Sequence, residues 1–251
     1  MARAHAYLIA VLVGSVSLLG LPQLGLAASG GASVSGGGGS SATATPRAGQ
    51  VEPGNQTVSA SGGGMTIVTQ TTAMLNNRLR FNGSGPRSDA GKIIEIERLG
   101  PETGWAWAPT THATVHRNGS FGAVWSTNHI GRFEIRAVIA GAGRPHAAAA
   151  SPVVTVTVYR QSVATIYGPG FWGSRTACGQ KLTRHMLGTA NRTLKCGTEV
   201  SIYYGGRTIV VPVIDRGPYA NGADWDLTEA TAHALHINGT ATVGAVSLPT
   251  K

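Results

Sequence analysis

A chain of 251 residues with 42% hydrophobic and 12% charged residues has room for one or two domains once targeting and linker segments are set aside. Its 36 glycines favour short strands and turns over long helices. Lys and Arg number 20 against 11 Asp and Glu, a formal net charge of +9, yet there is no Lys/Arg run and no aromatic–basic ribonucleoprotein pattern, which argues against nucleic acid as the partner.

The chain opens as an export signal. Arg3 precedes an apolar run from Ala6 to Leu21, and Gly25-Leu26-Ala27-Ala28 offers a small-residue cleavage site, so residues 1–28 are read as a signal peptide. Pro22 and Gln23 cut the apolar run short of a membrane span, and no stable span is expected after cleavage. Residues 29–64 read as a Gly/Ser-rich disordered linker, with Gly37-Gly38-Gly39-Ser40, Pro46 and Pro53 giving it little to bury and Gly62 to Gly64 closing it.

Residues 65–160 alternate apolar and polar side chains in short runs. Thr66-Ile67-Val68, Leu79-Arg80-Phe81, Ile93 to Ile96, Phe121 to Trp125, Phe133 to Val138 and Val154 to Val158 are predicted strands, separated by turns at Asn82-Gly83, Gly100-Pro101, Asn118-Gly119 and Gly131. This spacing predicts an immunoglobulin-like β-sandwich without the cysteine pair of antibody domains. His112 and His116 share a face, but a metal site needs a third ligand and none is evident. Trp105 and Trp107 are also same-face residues, read as core or edge packing or as a stacking surface for sugar.

Residues 161–251 form the last unit. Val163 to Tyr167, Glu199 to Tyr204, Thr208 to Ile214 and Val243 to Leu248 are predicted strands, and Gly205-Gly206 is a hairpin turn. Pro212 inside the third strand calls for an edge or a bulge. A helix over Glu229 to His236 is capped by Thr228 and ended by Asn238-Gly239. The order suits a small barrel, making the whole protein all-β. His233 and His236 sit on the helix, and His185 in a loop, without evident partners.

Three segments of this unit concentrate unusual residues. Cys178 and Cys196 enclose 17 residues, are the only cysteines, and lack Cys-x-x-Cys spacing. In an exported chain they predict a structural disulfide worth about 3 kcal/mol. Asp215 ends an apolar strand ahead of Arg216-Gly217-Pro218. It can act as a proton donor, or it can cap the turn or pair with Arg216. Asp226 stands two residues before the helix cap, where a carboxylate is favoured by exposed amides. Tyr167, Phe171, Trp172, Tyr219 and Trp225 cluster in Gly-rich loops, where aromatic faces can pack on sugar rings.

Taken together, Ala164-Thr165-Ile166-Tyr167-Gly168, Thr176-Ala177-Cys178-Gly179-Gln180, Arg192 to Thr198, Ile214-Asp215-Arg216-Gly217-Pro218-Tyr219 and Asp226-Leu227-Thr228 resemble the rare lipoprotein A (RlpA)-like family, and more loosely the first domain of expansins. The resemblance covers Val163 to Leu248. It implies a six-stranded double-psi β-barrel and lytic transglycosylase activity on peptidoglycan glycan strands, preferentially those stripped of peptide, with no cofactor. It places the catalytic acid/base at Asp215; Gln180, Asn191, Arg216 and Tyr219 are expected to orient the sugar, and Tyr167, Trp172 and Asp226 are further candidate substrate contacts. The sequence departs from the family at two positions: Gln180 stands where active members carry an acid, and Asn191 where a His is common. A non-catalytic, expansin-like glycan-binding or wall-loosening module is the alternative reading, and an inhibitor or interaction protein on the same barrel is a third. The implied location is extracellular or cell-wall associated, with the basic charge serving solubility or retention on anionic wall polymers.

Overall fold

The computed structural model describes residues 47–141, 150–220 and 222–249; the expected signal peptide and the linker up to residue 46 lie outside them. The strands run β1 (Val51–Pro53), β2 (Thr57–Gly62), β3 (Met65–Gln70), β4 (Thr72–Met74), β5 (Arg78–Ser84), β6 (Ile93–Leu99), β7 (Ala108–Thr114), β8 (Ser120–Ser126) and β9 (Gly131–Ile139). A 13-residue strand β10 (Val154–Ile166) follows, then β11 (Thr189–Ala190), β12 (Glu199–Tyr204), β13 (Arg207–Asp215), β14 (Trp225–Leu227), helix α1 (Glu229–Ala234) and β15 (Ala241–Ser247).

One antiparallel sheet, ordered β2-β3-β5-β8, packs against the strands β10-β9-β6-β7 of the larger sheet. Side chains alternate along each strand, so that Ile67, Phe81, Ile96, Phe133, Ile135 and Val156 meet in one fully buried core. The second half of β10 belongs to a different closure. It pairs antiparallel with β15 and parallel with β14, and the ring β10-β15-β12-β13-β11-β14 returns to β10 as a closed six-stranded barrel. Val200, Ile202, Val211, Val213, Leu227 and Leu235 fill it. Each such buried side chain stabilises the fold by about 1.5–3 kcal/mol.

Two expectations are corrected. Residues 47–64 are not linker. β1 pairs antiparallel with Arg207–Ile209 of β13, and β2 is an edge strand of the sandwich. The reason is that Val58 and Ala60 alternate with Thr57, Ser59 and Ser61, a period-2 pattern hidden by small residues. Gly63 and Gly64 are the two-residue turn of the β2–β3 hairpin, with φ of 59° and 77°. The second correction concerns the boundary at 160/161, which falls inside β10. One strand passes from the sandwich core into the barrel, and β4 pairs with it at Thr157–Tyr159 just before the crossing.

Other expectations match. Gly205-Gly206 turns the β12–β13 hairpin, and the Thr228 hydroxyl accepts from the Thr231 amide at the start of α1. Pro212 lies in the gap between the stretch of β13 covered by β1 and the stretch paired with β11, where the ladder shifts register.

Candidate active site

Asp215 is the last residue of β13 and is half-buried. Its carboxylate is held by three donors. The Tyr167 hydroxyl donates to Oδ2 at 2.5 Å, while the amides of Ala177 and Arg216 donate to Oδ1 at 2.8 and 2.7 Å. Each donor comes from a different part of the chain. Tyr167 follows β10 directly and is fixed by its own amide, which donates to the Leu227 carbonyl at 2.9 Å. Only 9% of it is exposed. Burial pushes its phenol well above the ordinary value, and the Asp215 carboxylate adds to the shift, so the hydroxyl stays a donor.

Ala177 is presented by a folded-back loop. The Thr176 amide donates to the Gln180 carbonyl and the Gly179 amide to the Thr176 carbonyl. The next residue, Cys178, is bridged to Cys196, as expected. Cys196 is in turn anchored to β13: the Gly197 amide donates to the Val213 carbonyl, and the Val213 amide to the Thr198 carbonyl. The disulfide therefore ties the loop that supplies the Ala177 donor to the strand that carries Asp215.

Arg216 offers Asp215 its backbone amide and not its charge. The guanidinium Nη1 reaches the Asn191 and Asp215 carbonyls at 3.4 Å, and Nη2 reaches Cys196 Sγ at 3.4 Å. Of the alternatives left open for Asp215, turn capping is present through that amide, and an ion pair with the neighbouring side chain is not.

Asn191 is engaged within its own loop. Its Oδ1 accepts from the amides of Thr193 and Leu194, and its Nδ2 donates to the Asp224 carbonyl. This is an Asx turn, and it leaves the amide little capacity for a ligand. Gln180 is exposed, and its Oε1 accepts from the Thr176 hydroxyl, one residue from the Ala177 donor. Asp226 sits across the sheet from Asp215. Ala190 of β11 pairs with Asp226 on one side and with Asp215 on the other, so two carboxylates flank one methyl group. Two strand spacings put their Cα atoms about 10 Å apart. Burial raises the Asp226 carboxyl above its ordinary value and the Asp215 charge raises it further, opposed by the hydrogen bond from the Thr165 hydroxyl at 3.0 Å.

The aromatic rim divides into two groups. Tyr219 projects beyond Gly217-Pro218 and is 78% exposed. On the other side the Tyr167 and Phe171 rings meet edge to face at 5.8 Å, and the Arg184 guanidinium lies 3.9 Å above the half-buried Trp172 ring. A cavity of about 340 Å³, lined by Tyr167, Pro169, Trp172, His233 and Asn238, opens behind Tyr167.

Sequence reasoning missed Thr165, Arg184 and Arg192. Arg192 donates to the carbonyls of Pro218 and Ala223 and so holds the Asp215 loop to the β14 approach. Its charge gave no local signal, because its partners lie 26 and 31 residues away. His112 and His116 are exposed on the sandwich. Among the described residues no group of three or more His, Cys, Asp or Glu side chains is placed to hold a metal.

A closed six-stranded barrel, knit by two parallel pairings and four antiparallel ones, with an acid at the end of one strand, is consistent with a double-psi β-barrel. Residues 159–247 match the family described as "Lytic transglycolase", and the barrel is similar to the RlpA-like double-psi β-barrel proteins. A probable endolytic peptidoglycan transglycosylase RlpA of Synechocystis sp. is 38% identical over 96 residues, covering 38% of this chain and 30% of that protein. Its counterpart in Aquifex aeolicus is 40% identical over 79 residues, covering 31% and 35%. The endolytic peptidoglycan transglycosylase RlpA of Campylobacter jejuni is 35% identical over 95 residues, covering 36% and 34%. The chain thus spans about a third of the length of the curated relatives it matches. Among solved structures, Streptomyces papain inhibitor is 23% identical with a TM-score of 0.30, covering 36% of this chain and 93% of that one.

Proposed function

We propose that the barrel is a lytic transglycosylase that cleaves peptidoglycan glycan strands outside the cytoplasm. The observation that carries this reading is the setting of Asp215: a half-buried carboxylate at a strand end, gripped by the Tyr167 hydroxyl and two amides, with the Arg216 charge turned away. In its acid form Asp215 gives its proton to the glycosidic oxygen as the C1–O bond breaks. The substrate's own acetamido oxygen stabilises the positive C1. The Asp215 carboxylate then takes the proton from the C6 hydroxyl as O6 bonds to C1. The product carries a 1,6-anhydro end, and Asp215 is returned to its acid form. One carboxyl suffices for both proton transfers, unlike hydrolysis by a carboxylate pair.

Tyr167 holds Asp215 at one angle through the cycle. Asp226, Gln180, Tyr219 and Trp172 supply hydrogen bonds and ring faces to the sugar. Asn191 and Arg216, whose polar groups are satisfied by backbone and sulfur, serve by shaping the loops. The test is incubation of the purified chain with peptide-free glycan strands and mass spectrometry of the products. Anhydro ends formed by the wild type and lost in Asp215→Asn support the enzyme. No anhydro product from the wild type would refute it.

The exposed amide of Gln180, standing where active relatives are expected to carry an acid, favours one second reading: a non-catalytic module that binds or loosens the glycan. Co-sedimentation with the strands in the absence of any product is its signature.

A further inference from the structure

A second polar groove lies where the sandwich meets the barrel, with a volume of about 580 Å³. Its floor is the outer face of β5, where Arg78, Arg80 and Asn82 point outward while Leu79 and Phe81 point into the core. Alternate residues on a strand stand about 7 Å apart, so the two guanidinium groups repeat along the groove. Gln70 of β3 and Asn55 add amides beside them, and Tyr203 of the barrel forms the far wall. No Asp or Glu lines the groove, and neither arginine has an ion-pair partner among the described residues.

The wall at Tyr203 is rigid. Its ring packs 5.7 Å from that of Tyr159, and on another side it abuts Gly54, where an added Cβ would come within 2.6 Å. Tyr159 itself is on β10 at the crossing between the two cores and is 2% exposed. Tyr167, which holds Asp215, follows the end of the same strand. The eight residue steps from one to the other span roughly 26 Å of extended chain. The groove and the carboxylate are therefore set at a fixed separation by one continuous backbone and share no lining residue.

We propose that this groove binds an anionic, hydroxyl-rich polymer chain and so holds the barrel at a fixed reach from it. Guanidinium groups favour carboxylate and phosphate oxygens, and side-chain amides favour the hydroxyls between them. Two unpaired arginines one strand-step apart suit a repeating charge better than a single small anion. The inference stands apart from the transglycosylase reading, because binding is read without turnover.

The purified chain is titrated into fluorescein-labelled poly(glycerol phosphate), polygalacturonate and neutral dextran at 50 and 200 mM salt. Binding to at least one polyanion, weakened about tenfold at the higher salt, is expected, with none to dextran. Phosphate- or uronate-selective binding identifies which anion the groove prefers. Arg78→Gln/Arg80→Gln should weaken binding about tenfold, while Arg117→Gln/Lys195→Gln, which removes two exposed charges elsewhere, should leave it within about twofold. Thermal melting checks that each variant is folded. Equal losses in the two double variants would show a diffuse charge effect and overturn the proposal, as would failure to bind either polyanion or equal binding to dextran.

Discussion

The sandwich and the barrel solve the same problem, burying β-strands, in opposite ways. In the sandwich each strand hides one face and shows the other, as in β5, where Leu79 and Phe81 are buried and Arg78, Arg80 and Asn82 are exposed. Its polar side chains stand on the strands. In the barrel β13 hides nearly every residue from Thr208 to Ile214, Pro212 excepted, leaving no polar face. Its polar residues are displaced into the connections around Tyr167–Gln180, Asn191–Thr198 and Asp215–Asp224. Those connections have no ladder to satisfy their backbone groups, so side chains do it: Asp215 for the Ala177 and Arg216 amides, Asn191 for Thr193 and Leu194, Arg192 for the Pro218 and Ala223 carbonyls. A carboxylate that organises loops in this way is also one held in a fixed position at the barrel mouth.

The sharpest way to break the comparison is to damage chemistry in the barrel without touching packing in either region. Asp215→Asn keeps the shape of the side chain and loses the transferable proton. Anhydro product formation should fall by about 10² to 10⁴-fold, the range for loss of a general acid/base, far more than any loss of folded fraction explains. A variant that keeps its rate would remove Asp215 from the mechanism. Tyr167→Phe is next. It deletes the 2.5 Å bond to Oδ2 while keeping the buried ring, and a hydrogen bond to a charged group is worth about 1.5–3 kcal/mol. If it acts through Asp215, kcat should drop about ten- to a hundredfold with KM little changed.

Cys178→Ser/Cys196→Ser tests whether the two regions melt as one. Loss of the bridge should lower stability by about 3 kcal/mol. Because β10 is common to both cores, the calorimetric transition should shift as a single peak. Two separated peaks would show that the shared strand does not couple them. The same variant frees the loop bearing Ala177, so its activity on glycan should fall by more than its loss of folded fraction explains.

Legibility in the sequence follows the same division. The sandwich strands were readable wherever large residues marked the alternation, and failed at Thr57–Gly62, where Val58 and Ala60 are too small to stand out from serine and glycine. β10 was read as two strands because periodicity does not show that one segment changes cores at Tyr159. In the barrel, the place of Asp215 at a strand end is a local feature, and two cysteines in an exported chain leave a single possible pairing. The roles of Asn191 and Arg216 were not legible in this way. Both were expected to face sugar, and both turn to carbonyls and amides that only the folded loops bring near them. Thr165 and Ala190 matter for the row they occupy between strands, and register across β14, β11 and β13 is not written in any one segment.

The smallest expected effect concerns Asp226, and it has a definite sign. Its folded carboxyl binds its proton more tightly than the ordinary value of 3.8, because burial and the Asp215 charge both disfavour the anion. The native state therefore holds more protons than the unfolded chain once pH rises past 3.8, and stability falls through that window as the buried anion is forced to form. Below it both states are protonated and nothing is lost. Asp226→Asn removes the titration while keeping an oxygen to accept from Thr165. The variant should match the wild type in melting temperature at low pH and exceed it at neutral pH. A wild type that instead gains on the variant as pH rises would mean that Asp226 is favoured as an anion in the folded barrel, through a donor other than Thr165, and the two carboxylates flanking Ala190 would then have to be read as independent of each other.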